Sequence, residues 1–154
     1  MYFDNGLFSL QLPYGWSAEE ADDGNVYVRS DANQEVWVSV EPNGVQFQDK
    51  SLSAGAFVER AYEDKLSLPS FVSTQCADGR YIARWQQSQQ HEGKPYLLFH
   101  GLAAWKESEA NLQLLMFQAA YPSALEGTTV AAEAQAFAWS APAEVSFYAW
   151  RSAA

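Results

Sequence analysis

Phe8-Ser9-Leu10-Gln11-Leu12-Pro13-Tyr14-Gly15-Trp16 is the stretch whose reading decides the fold of this chain. Phe8, Leu10 and Leu12 alternate with Ser9 and Gln11, which gives a strand with one apolar and one wet pleat face. Pro13 and Gly15 then stop it. The spacing predicts an edge strand followed by a tight turn onto an aromatic, a signature of fold and not of reaction.

Working outward, an acidic loop with Glu19, Glu20, Asp22 and Asp23 ends in the turn pair Asp23-Gly24. Val26 and Val28, then Val36, Val38 and Val40, alternate with polar and aromatic residues and predict a half-buried antiparallel pair. Pro42-Asn43-Gly44 supplies turn chemistry to close it. From Ser53 the period lengthens to that of a helix. Ala54, Phe57, Val58, Ala61, Tyr62 and Leu66 form one stripe, and Pro69 ends it.

Phe71–Gln75 then predicts a strand that turns at Ala77-Asp78-Gly79-Arg80, after which Tyr81, Ala83 and Trp85 share a face. The hairpin loop His91-Glu92-Gly93-Lys94 leads into Tyr96–Trp105, and a charged turn leads into Leu112–Tyr121. Both runs are apolar on both pleat faces, as central strands covered on each side should be. Ser123 and Glu126 have capping-box spacing, and Val130, Ala134 and Phe137 continue a closing helix that starts at Ser123 or only at Gly127-Thr128-Thr129. The resulting fold class is α+β: a mainly antiparallel central sheet of about 6–7 strands, with helices on both faces. Residues 1–140 are expected to form one domain, and 141–154 a C-terminal extension or added strand.

Composition narrows the function classes. Nine Lys plus Arg against nineteen Asp plus Glu leave a net charge of −10, which repels phosphate backbones and anionic lipid heads, so no nucleic acid is expected as partner. No window is apolar enough for a membrane span. With Cys76 as the single cysteine and no secretory leader pattern at Met1, the sequence reads as cytoplasmic.

The order of elements, with FSLQLPYGW at the start, an aromatic-rich long hairpin, and Tyr121-Pro122 followed by a closing helix, resembles the PsbP-like and DcrB-like superfamily over roughly residues 3 to 140. The resemblance implies an α/β/α sandwich that works by binding another protein and transfers no catalytic residue. Within that family, a bacterial adaptor chaperone or an immunity protein for an effector of type VI secretion is the expected role.

The residues offer little chemistry of their own. Cys76 with His91 or His100 as base would make a nucleophile, yet a lone strand-end cysteine is ordinarily a packed small hydrophobe. Two histidines nine residues apart, one in a hairpin loop and one mid-strand, make a poor metal site. Neither an enzyme, a cofactor nor a metal is expected. Glu19, Glu20, Asp22, Asp23, Asp31 and Glu35 could converge on one end of the sheet as a landing surface for a basic partner. Trp37, Trp105 and Trp150 are the aromatic candidates, because Trp and Tyr dominate interface hot spots. The expected partner is therefore a basic or hydrophobic effector segment, and an exposed sheet edge would also permit a homodimer. The competing expectation is a small-ligand or lipid-binding domain with an apolar cavity between sheet and helices.

Overall fold

The computed structural model describes residues 2–147. Among these, the strands are β1 Tyr2–Asp4, β2 Phe8–Gln11, β3 Trp16–Glu20, β4 Val26–Ser30, β5 Trp37–Gln46, β6 Val72–Gln75, β7 Tyr81–His91, β8 Lys94–Lys106, β9 Asn111–Pro122 and β10 Ser146–Phe147. The helices are α1 Ala54–Ala61, α2 Glu63–Leu66 and α3 Thr129–Glu144. Seven strands form one sheet in the order β3-β4-β5-β9-β8-β7-β6, antiparallel at every step, and β1-β2-β10 form a small second sheet. The architecture is α+β and mainly antiparallel.

β8 and β9 explain why the sheet carries two separate cores. Their odd-numbered residues, among them Phe99, Ala103, Leu115, Phe117 and Ala119, join the valines of β4 and β5 and the α3 residues Ala131, Ala134, Phe137, Ala138 and Ala141 in one cluster. Their even-numbered residues Leu102, Ala104, Leu112 and Leu114 join Ala83 and Trp85 of β7 and Ala54 and Val58 of α1 in the other. The first set marks what we call the first face of the sheet, the second set the second face. On the first face α3 passes so close to β8 that a Cβ at Gly101 would run into the Ala138 carbonyl oxygen. Only glycine permits that approach.

Phe8, Leu10, Leu12 and Trp16 all enter the first core, but β2 is not an edge strand. It is the middle strand of the small sheet, with Ser9 between Asp4 of β1 and Ser146 of β10, and Ser9 on its supposedly wet face is buried. Glu19 and Glu20, expected in a loop, lie on β3, which pairs along its whole length with β4. The Trp16 indole N–H donates to Glu133 Oε2 at 2.7 Å and so ties β3 to α3.

Pro42-Asn43-Gly44 does not turn. β5 runs straight through it, paired residue for residue with Leu115, Leu114 and Gln113 of β9. The β4 ladder ends at the Val26–Val40 pair, so from Glu41 onward β5 has a neighbour on one side only, and a proline without an N–H is tolerated on such an edge. The helical stripe is broken at Tyr62, and its last member, Leu66, is exposed. Ser123 and Glu126 form no capping box. Ser123–Leu125 is a single 3-10 turn, and the Thr128 side chain caps α3 by accepting from the Ala131 N–H. Ala141–Glu144, expected beyond the last helix, complete α3, and Ser146–Phe147 add a strand to β2.

Candidate functional site

Ala54 and Val58 of α1, with Tyr62, Leu68 and Phe71 after it, pack into the second core, which takes in only part of the sheet. Trp85 marks the limit. Its indole packs against Tyr62 and Phe71 at ring-centroid distances of 5.6 and 6.0 Å on one side, and stacks on His100 at 5.0 Å on the other. Beyond His100 the pleat opens into a groove of about 340 Å³.

Strand register builds the groove row by row. Trp37 of β5 lies opposite Ala120 of β9, which lies opposite Leu98 of β8, which lies opposite Gln87 of β7. The neighbouring rows place Tyr96 opposite Gln89, and His100 opposite Gln118. His91 closes the β7 end, its ring edge-on to Tyr96 at 5.7 Å. Four strands thus bring residues as distant as Trp37 and Gln118 onto one patch. Rows two residues apart are about 7 Å apart along the strands.

His100 is the most constrained group of the floor, with 8% of its surface exposed. Its Nε2 hydrogen-bonds Gln118 Oε1 at 3.0 Å, while Nδ1 is buried without a hydrogen-bond partner. Burial pushes its pKa down from 6.5 to about 4, against the opposing pull of the Gln118 bond and with a smaller contribution from Lys65. The imidazole is therefore neutral at pH 7. With the bond to Gln118 donated by Nε2, Nδ1 is the bare acceptor.

Of the residues singled out in the sequence, Trp37 lies in this groove and is half-buried. The acidic residues do not converge. Glu19 and Glu20 with Asp22 and Asp23 sit at the β3–β4 turn, and Asp31 and Glu35 sit beyond the far ends of β4 and before β5. A five-residue strand pair, about 16 Å long, separates the two groups. All six are exposed, and Asp23 Oδ1 accepts from the Asn25 N–H at 2.9 Å within its own turn. Trp105 lies on the first face, stacked on Phe147 at 5.5 Å, which makes it a packing residue that pins β10. Trp150 lies outside the described residues.

Cys76 sits in the β6–β7 turn, where its N–H donates to the Arg80 carbonyl at 2.8 Å. The eleven residues of β7 hold that turn about 35 Å from His91, so these two cannot act as a nucleophile and base pair. Both histidines line the groove, yet no cluster of three or more His, Cys, Asp or Glu side chains suited to a metal ion occurs among the described residues. Sequence reasoning missed Gln87, Gln89, Tyr96, Leu98, His100 and Gln118 as one site. The one local signal was the run Gln86-Gln87-Ser88-Gln89-Gln90, where amides on both pleat faces follow directly on the buried Trp85.

No family model and no curated protein matches this sequence. Among solved structures, a Bacteroides thetaiotaomicron protein is similar with a TM-score of 0.59 at 14% identity, over 96% of this chain and 48% of that one. LpqN, a protein involved in cell envelope biogenesis of Mycobacterium tuberculosis, is similar with a TM-score of 0.54 at 14% identity, over 82% of this chain and 78% of that one. The chain spans about half the length of the Bacteroides structure it matches. At this identity the likeness is one of fold alone. No helix among the described residues is long and apolar enough to cross a membrane.

Proposed function

We propose that this chain is a non-enzymatic protein-binding module that holds a partner polypeptide against the open half of its second sheet face. The observation that supports it best is the groove itself: an exposed, structured concavity with Trp37 on its wall, beside the two clusters of buried apolar side chains. A ligand- or lipid-binding domain would instead offer an enclosed apolar cavity. This groove is open, and Gln87, Gln89 and Gln118 in its lining are amides, which favours a polypeptide.

The resemblance to the PsbP-like and DcrB-like superfamily makes an adaptor chaperone or immunity protein for a secreted effector of the type VI kind the most specific form of this reading. Residence in the cytoplasm goes with it, because the effector would be met there before export. The α/β/α sandwich belongs to the same proposal and is supported by the membership of α3 in one core and of α1 in the other. The exposed edges β3 and β6 would allow a homodimer, which light scattering can test.

Affinity purification of the tagged chain from its source cell, beside a Trp37→Ala variant, tests the central claim. The expected outcome is a defined polypeptide that copurifies with the native chain and is lost or strongly reduced with the variant. Equal recovery with both, or no polypeptide with either, removes the proposal.

A further inference from the structure

We infer that the groove selects an uncharged segment of its partner, one rich in amide and aromatic side chains, and not the basic segment that the acidic net charge of the chain would attract. This rests on the protein-binding reading above and specifies the chemistry of its partner.

The lining of the groove carries no charge. In a chain with nineteen Asp plus Glu, none of the residues lining the groove is a carboxylate, and none is Lys or Arg. A basic side chain seated there would leave water without gaining a counter-charge, and burying an unpaired charge is among the most costly events in recognition. His100 on the floor adds to this. Held neutral by burial, it offers an inserted cation no counter-charge.

The groove also holds hydrogen-bonding groups that no other side chain uses. The Gln118 amide is engaged with His100, but the side chains of Gln87 and Gln89 hydrogen-bond to no other described residue. Each amide can donate twice and accept twice. Two free amides on alternate positions of one strand suit a segment that presents amides or hydroxyls of its own. Trp37 and Leu98 provide the apolar wall on which an aromatic ring can pack edge-on or offset. The groove lies on the sheet face and not along an edge, so it is read by inserted side chains and not by strand addition.

The acidic residues named above sit elsewhere. The two acidic groups lie at opposite ends of the β3–β4 pair, and Asp22, Asp23, Asp31 and Glu35 lie outside the strands altogether. They increase encounter with basic molecules at long range, but none of them reaches the groove lining.

Two hexapeptides test the inference on the full chain: acetyl-Ser-Gln-Tyr-Gln-Tyr-Ser-amide and its counterpart with both Gln replaced by Lys. Isothermal titration and chemical-shift mapping are run in 0.15 M and 1 M NaCl. The neutral peptide is expected to bind at least tenfold more tightly than the Lys peptide, to perturb Trp37, Leu98 and His100, and to keep its affinity in high salt. Trp37→Ala should weaken it at least fivefold. Gln87→Glu with Gln89→Glu should move the preference toward the Lys peptide, and neither position is packed in a core, so the fold is expected to survive; the amide spectrum checks this.

Equal or tighter binding of the Lys peptide, affinity that falls steeply with salt, shifts outside the groove, or no binding of the neutral peptide would each overturn the inference. Its failure is distinguishable from failure of the broader reading. A polypeptide lost with Trp37→Ala alongside a preference for Lys leaves protein binding standing and removes only the selectivity. The expected peptide preference with no copurifying polypeptide does the reverse.

Discussion

His100 shows how much one buried side chain can impose on this molecule. Its pKa is lowered, so folding favours the neutral ring, and the sign follows directly. The contribution is complete above the unfolded value near 6.5, is lost as pH falls toward about 4, and changes no further below that. At about 1.4 kcal/mol per unit, the loss over this window approaches about 3 kcal/mol. His100→Phe retains a ring to stack on Trp85 and removes both the titration and the orphan Nδ1. We expect urea unfolding at pH 7 and at pH 4 to show a smaller loss for the variant by about 2 to 3 kcal/mol. Parallel losses in the two proteins would contradict the assignment, since the carboxylates they share would then account for the whole pH dependence.

Arg80 acts at the same scale on the other side of the sheet. Its guanidinium donates to the carbonyls of Pro142, Ala143 and Val145 at 3.0, 3.3 and 2.7 Å, pairs with Asp78 at 3.0 Å, and lies over the Phe147 ring at 5.3 Å. Those carbonyls belong to the end of α3, where the helix itself leaves acceptors without partners. Pro142 inside the last turn also removes a donor. Arg80→Ala should cost about 2 kcal/mol and free the last turn of α3 with β10, read as increased amide exchange from Ala141 to Phe147. Arg80→Lys keeps a positive charge at the helix C-terminus but reaches fewer carbonyls, and an intermediate effect is expected. Unchanged exchange in Arg80→Ala would show that β10 is held by Trp105 and the β2 ladder alone.

Among the elements, α3 on β8 has the least tolerance. Gly101 faces the Ala138 carbonyl and the Pro142 ring, so Gly101→Ala forces backbone apart, where a flexible side chain could have swung away. A cost of at least about 3 kcal/mol is expected from thermal or urea unfolding, at the upper end for overpacking. A shift within about 0.5 kcal/mol of native would mean that α3 can slide without penalty, against the fit described here.

The same scale separates what was legible in the sequence from what was not. β8 and β9 could be read because unbroken apolar runs of that length have few alternatives, and the β7–β8 hairpin because Glu92-Gly93 adopts the positive φ its loop demands. Pro42-Asn43-Gly44 misled because turn propensity is local, while the ten-residue ladder with β9 that overrides it is not. β1 and β10, of three and two residues, carry no period to detect, and without them β2 looked like an edge. The groove was illegible for a related reason. Trp37, Ala120, Leu98 and Gln87 meet only through the register of four strands, and no spacing along the chain encodes that row.

Taken whole, the molecule has two cores but one set of central strands. β8 and β9 contribute alternate residues to each cluster, so neither core can be lost while the other keeps its sheet intact. This argues for a single cooperative transition in spite of the separate packing of α1 and α3. Val58 of α1 is fully buried in the second core, and Val58→Ala removes two methyl-sized groups with limited room to collapse, at a cost of about 2 kcal/mol. Fluorescence reports chiefly on tryptophans such as Trp85 in the second core and Trp16 in the first, whereas far-UV dichroism follows the whole sheet and α3. The midpoints of native and Val58→Ala are expected to coincide between the two probes, each shifted equally by the substitution. A variant in which fluorescence changes ahead of dichroism would mean that the α1 face opens as a unit of its own. The floor of the groove beside Trp85 would then be formed by the least stable part of the fold, and partner binding would have to stabilise it in proportion to its affinity.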